Sequence, residues 1–173
     1  MFQRKVFAMG WRLNWLLVSF ALQFFAFPLL AKDVVFAKKH IMVAGKKLVV
    51  EVAESNEQHQ RGLMERRSLG DNQGMLFVFS DENYQNFWMK NTFIPLSIGF
   101  FDAQRKLVDI QDMEPVKSVL EIHKSYQSKQ LAKYALEVPQ GWFLRNKIKI
   151  NSRFDFVDKS SSSDSKTVPK NKN

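Results

Sequence analysis

Gly74-Met75-Leu76-Phe77-Val78-Phe79 is a continuous apolar run bounded on both sides by polar residues. It is too short for a helix, and a strand with one wet face would alternate apolar with polar side chains. The run therefore predicts a strand buried on both faces, at the centre of a sheet. The segments around it must supply its neighbours.

On the N-terminal side, His40-Ile41-Met42-Val43 and Lys47-Leu48-Val49-Val50-Glu51-Val52-Ala53 flank Ala44-Gly45, which predicts a hairpin with a tight turn. Ser55 followed by Gln58 fits a capping box, and Ser55 to Met64 is rich in helix formers, so a short helix ending near Gly62 is expected. On the C-terminal side, Phe87-Trp88-Met89, Leu96 to Phe101 and Lys106 to Ile110 read as strands, the last two joined by the polar turn Asp102 to Arg105. Periodicity is lost from Glu114 to Gln130, which predicts a long loop. Strand character resumes from Ala132 to Val138 and stops at Pro139. Gln140 to Asn146 admits one or two helical turns, and Lys147 to Val157 alternates well enough for a final strand. Many short strands with one or two brief helices predict a mainly β fold, a compact antiparallel sandwich or barrel.

The two ends read differently from this middle. Arg4, Lys5 and Arg12 precede the apolar stretch Trp15 to Phe27, and Pro28 then breaks the helix, the order expected of a signal peptide. Ala31 is the expected cleavage position. The alternative is an uncleaved anchor, because Leu13 to Ala31 approaches the roughly 20 residues that a bilayer of about 30 Å requires. The expected location is therefore periplasmic or secreted, or anchored to the inner membrane through residues 1–31. The Ser-, Lys- and Asn-rich tail, residues 159–173, cannot bury apolar surface and is expected to be disordered. Residues 32–158 remain as a single β domain.

The net charge of +9 suggests a nucleic-acid or anionic-membrane partner until it is divided along the chain. The segment before Ala31 and the tail each carry three net positive charges, and residues 32–158 hold 19 basic against 16 acidic side chains. No basic stripe with interleaved aromatics is present, so a nucleic-acid partner is not expected. The absence of cysteine excludes disulfides, thiol catalysis, thiolate metal sites and lipoprotein attachment. Packing and sheet hydrogen bonds must hold this domain together.

Five clusters stand out in one order: Gln60-Arg61-Gly62-Leu63-Met64; Gly74 to Phe79; Phe87 to Thr92 with Ile94-Pro95-Leu96; Met113-Glu114-Pro115; and Ala135-Leu136-Glu137-Val138 with Gly141-Trp142. Their order and spacing resemble the family of domain of unknown function 192, small proteins that often carry a signal peptide, from about Val43 to Asn151. The resemblance implies a compact all-β sandwich or barrel with short helices and brings no established activity. Some members have cysteines in the loop that here runs from Pro115 to Tyr126; this chain has none, so a role resting on them does not transfer.

Within these clusters, Lys90, Asn91 and Thr92 follow an aromatic strand and Pro95 fixes the exit of their loop. Trp88 offers a flat apolar surface, Lys90 a point charge and Asn91 both a donor and an acceptor, a set suited to a small polar ligand. The structural alternative makes Trp88 core, Lys90 a solvated charge and Asn91 a turn cap. Glu137 sits in an otherwise apolar strand, where an unpaired carboxylate is costly to bury, so a pair with Arg61 or Lys90 is expected. Arg61, Trp88, Lys90, Asn91 and Glu137 thus form the candidate binding face of a non-catalytic module for a small polar ligand or an envelope protein.

A hydrolase of envelope glycans is the second reading, with Asp102 and Glu137, or Asp109 and Glu114, as carboxylate pairs. A structural or assembly protein is the third, in which the loop from Pro115 to Gln130 makes contacts and Trp88→Ala costs several kcal/mol. His40, His59 and His123 lack metal-binding spacing, and no serine lies in a nucleophile elbow. No metal or cofactor is expected, and catalytic residues are not assigned.

Overall fold

A computed structural model describes residues 33–115 and 124–157. The expected export signal, the tail, and residues 116–123 of the predicted loop, His123 among them, lie outside the described residues. The chain forms strands β1 (Ala37–Val43) and β2 (Lys46–Ala53), helix α1 (Asn56–Arg61), strands β3 (Gln73–Asn83), β4 (Asn86–Trp88), β5 (Leu96–Phe101), β6 (Leu107–Met113), β7 (Ser125–Gln127) and β8 (Ala132–Pro139), helix α2 (Trp142–Arg145) and strand β9 (Phe154–Phe156). Seven strands make one sheet in the order β6-β5-β8-β3-β2-β1-β9, and β4 pairs with β7 in a separate ribbon. The apolar run thus lies in β3, the middle strand, and Met75, Leu76 and Phe77 are all buried.

The sheet curls into a half-barrel. At one end its two edges meet: Lys106 bridges to Arg153, the Leu107 N–H donates to the Ser152 carbonyl at 2.7 Å and the Phe154 N–H to the Arg105 carbonyl at 3.1 Å. Phe154 on the edge strand β9 touches Phe101 on β5 and Tyr134 on β8, with ring centroids 5.1 and 5.2 Å away. Strands so far apart in sheet order can meet only across the inside of the curl. The inner face therefore holds the core formed by Ile41, Val50, Leu76, Leu136, Val138 and Phe154, with Trp142 and Phe143 of α2. The outer face has its own core, in which Met75, Phe77, Ile98, Phe100 and Ala135 are covered by Leu63, Met89 and Tyr126. A strand between two cores has to be apolar on both sides, which accounts for the lack of alternation in β3.

Ala44 and Gly45 turn the β1–β2 hairpin with φ of 44° and 84°, the left-handed pair that matches strand twist. Ser55 and Gln58 form both halves of the capping box. Three local expectations are corrected. The β2–β3 pair is parallel, whereas antiparallel pairing was expected throughout; residues 54–72, including α1, are long enough for the crossover that a parallel pair needs. The expected loop from Glu114 to Gln130 contains β7, whose Tyr126 is buried and whose hydroxyl accepts from the Glu114 N–H at 3.0 Å. The final strand is only β9, because Lys147 and Asn151 take φ of 58° and 75° and turn the chain where alternation suggested extension.

Candidate functional site

Alternation along β8 sends Leu136 and Val138 inward and Ala135 and Glu137 to the outer face. There Glu137 lies between Met75 of β3 and Ile98 of β5 in the sheet register, both wholly buried. Glu137 is itself only 5% exposed. Among the described residues its carboxyl group has no ion pair and no hydrogen-bond partner. Burial alone pushes its pKa up to about 8, so at neutral pH it is mostly a neutral acid. What it faces is a cavity of about 100 Å³, walled by α1 and the chain just after it, by Phe77 and Phe79 of β3, and by Asn86, Phe87, Trp88, Lys90 and Thr92.

The wall is aromatic and tightly set. Phe87 meets Phe77 and Phe100 edge-on at 4.9 and 5.7 Å, and the His59 ring lies 4.8 Å from Phe79. His59 Nε2 is 3.0 Å from the Ala53 carbonyl and 3.1 Å from the Val78 carbonyl. Carbonyl oxygens only accept, so Nε2 is the nitrogen that carries a proton toward them. These bonds fasten α1 over the end of β2 and the middle of β3. Gly62 stops the helix at φ 46° and ψ −139°, a conformation open in practice to glycine alone. That stop leaves Arg61 at the rim.

Trp88 ends β4 at the mouth of the cavity and is 60% exposed, with Lys90 Nζ 5.9 Å from its ring centroid. The Thr92 N–H donates to the Met89 carbonyl at 3.2 Å, which closes a turn carrying Lys90 and Asn91. Asn91 takes a φ of 51°, and its carbonyl accepts from the Glu65 N–H at 2.7 Å. Arg61 pairs with Glu65 at 2.8 Å. The helix end and the turn are thereby joined across the rim.

Four of the five candidate residues, Arg61, Trp88, Lys90 and Glu137, line this one cavity. Asn91 is not on its wall and serves the turn. Neither expected pair with Glu137 forms: Arg61 is taken by Glu65, and Lys90 has no carboxylate partner among the described residues. The reading of Trp88 as core is corrected, since the buried residue is its neighbour Met89, 2% exposed. Trp88→Ala is therefore expected to cost less than about 1 kcal/mol in urea unfolding; a loss of 3 kcal/mol would show that the ring is packed in solution. His59, Phe77, Phe79 and Phe87 are not among the binding residues that the sequence suggests. The two-residue spacing of Phe77 and Phe79 places them on one face of β3 and was the available signal.

The carboxylate pairs of the hydrolase reading do not assemble. Glu137 is in register with Ile98, and Asp102 lies four residues farther on, roughly 13 Å at strand spacing. The Asp102 carboxylate accepts from the Lys106 N–H and serves its turn. Asp109 and Glu114 are separated by about 16 Å along the chain direction of β6. Asp109 is engaged by Ile110, Gln111 and Lys129, and Glu114 by Gln140. Glycosidase carboxyls stand about 5–9.5 Å apart. No cluster of metal-ligating side chains occurs among the described residues.

The sequence model of DUF192, a family described as "Uncharacterized ACR", matches residues 37–156. The crystal structure of a candidate transcription regulator from Sinorhizobium meliloti 1021 is similar at 28% identity, with a TM-score of 0.65, over 72% of this chain and 97% of that one. A protein of unknown function from Novosphingobium aromaticivorans DSM 12444 is similar at 28% identity, with a TM-score of 0.59, over 68% of this chain and 84% of that one. No curated protein matches.

Proposed function

This chain belongs to the DUF192 family, and from that premise we propose that it is an exported envelope module that binds a small polar ligand in the cavity over Glu137 without transforming it. The observation that carries the reading is a nearly buried carboxyl group with no partner among the described residues, opening onto a cavity whose mouth presents Trp88 and Lys90. Burying such a group costs several kcal/mol, which an apolar residue in the same outer core would avoid. A costly acid kept at the base of an open cavity is the mark of a site rather than of packing. Export is supported by the basic and apolar order of residues 1–31. The regulator description of the Sinorhizobium protein is not carried over, because residues 32–158 hold 19 basic and 16 acidic side chains and no basic stripe.

The test is native mass spectrometry of the protein recovered from the envelope fraction of cells expressing the full chain. A bound small molecule retained by the wild type and lost from Lys90→Ala and Trp88→Ala is the expected result. A bare wild-type protein, or a species that both variants retain unchanged, would remove this cavity as the binding site.

A further inference from the structure

We propose that the cavity is a cation site, taking the protonated amine of a short zwitterion against Glu137 while the anionic end of that ligand reaches Lys90. The inference rests on the binding reading above and names its ligand class. The two nearly buried polar side chains of the wall, Thr92 and Glu137, can both accept, while the exposed Gln60 and Asn86 bring amides that accept and donate. Glu137 offers its carboxyl oxygens and Thr92 the lone pairs of a hydroxyl whose proton goes to the Lys90 carbonyl at 3.2 Å. Such a set wants a ligand that donates several hydrogen bonds, as an ammonium does. The rings of Phe77 and Phe87 add a wall that favours a cation stripped of water.

Both cations at the mouth are accounted for differently. Arg61 is neutralised by Glu65 at 2.8 Å, whereas Lys90 has no carboxylate among the described residues and rests near Trp88. Lys90 is thus the rim charge open to an acid. About 100 Å³ admits an ammonium and a few methylenes; drug-sized ligands and sugars occupy cavities of about 300 Å³ or more.

Binding moves one proton. The neutral Glu137 acid and the incoming ammonium become a carboxylate–ammonium pair, and the proton leaves to the buffer. Of the elements packed around Glu137, β3 and β5 present Met75, Phe77, Ile98 and Phe100, none titratable; α1 presents His59 and Arg61, and the turn after β4 presents Lys90. His59 is the other side chain of this wall, besides the two rim cations, that can exchange a proton, so Glu137→Gln assigns it.

Isothermal titration calorimetry on the purified full-length protein, run in buffers of different ionisation enthalpy, tests this with 4-aminobutyrate, butylamine, butyrate, 4-hydroxybutyrate and Nα-acetyl-lysine methylamide. The expected result is binding of 4-aminobutyrate with release of close to one proton at pH 7 and about tenfold weaker affinity at pH 6. Butylamine binds more weakly, and butyrate and 4-hydroxybutyrate do not bind. Glu137→Gln abolishes the proton release and lowers affinity at least about 100-fold. Tighter binding of the lysine mimic than of 4-aminobutyrate also supports the cation site and assigns its ligand to a protein side chain.

Equal binding of butyrate or 4-hydroxybutyrate, or binding of the amine that survives Glu137→Gln, overturns the cation site while leaving the cavity a binding site. If no probe binds, the cation site falls. The native mass spectrum then decides separately whether the binding reading falls with it.

Discussion

Glu137→Gln raises the melting temperature of the ligand-free protein, and the gain grows from little at pH 4 to the order of 10 °C at pH 8. The sign follows from where the proton is bound. In the unfolded chain the Glu137 carboxyl titrates in the ordinary range near 4.3, whereas burial raises it to about 8 in the fold. Between those values the folded state holds more protons than the unfolded one, so stability falls as pH rises and levels off above about 8. Integrated to pH 8, the ionisable residue costs about 4 kcal/mol relative to a neutral one. The glutamine amide keeps the size of the side chain and carries a desolvation cost similar to that of the neutral acid at every pH, so the slope is the diagnostic quantity. Differential scanning calorimetry from pH 4 to pH 8 measures it. A difference between wild type and variant that stays flat across that range would mean that the carboxyl group is paired or hydrated in solution.

Gly74→Ala is the second large effect, expected to destabilise by about 3 kcal/mol or more. A methyl group at this position would stand 2.6 Å from the Glu137 carbonyl oxygen and 3.2 Å from Val138 Cγ1. The first of these is backbone in the middle of the sheet and cannot swing aside as a side chain can. Relief requires β3 and β8 to separate at the pair that places Glu137. Urea unfolding gives the magnitude, and binding of whatever ligand the wild type retains should weaken in parallel. A variant within 1 kcal/mol of wild type would show that the two strands part at little cost.

The sequence made the centre of this molecule legible because two cores leave one kind of trace. A strand covered on both faces cannot alternate, and Gly74 to Phe79 does not. Glu137 was legible for the opposite reason: a lone acid in an apolar strand has to be explained by what it faces. The partner expected for it was wrong because Arg61 reaches Glu65 four residues on, just past the helix end, a local alternative that competes with any long-range pair. Trp88 ends a strand of three residues and Met89 follows it, and pattern alone could not say which of them turns inward. The bonds that fix His59 run to the carbonyls of Ala53 and Val78, whose approach depends on the parallel β2–β3 crossover. Nothing local announces such a contact. β7 and β9 are three residues each, too brief to establish a period.

The pairing of β1 with β9 joins Ile41, Met42 and Val43 to Phe156, Asp155 and Phe154, almost the full length of the domain away. A chain made or threaded from its N-terminus can complete the β1–β2 hairpin early, yet the outer edge of β1 stays bare until residue 156 has emerged. Through that interval the domain presents an unsatisfied row of backbone donors and acceptors beside the wholly buried positions Ile41 and Val43, the kind of edge on which chains aggregate. The last strand is small in contact area but decides when the molecule becomes safe to release, and any product that stops short of Phe154 keeps that edge permanently open.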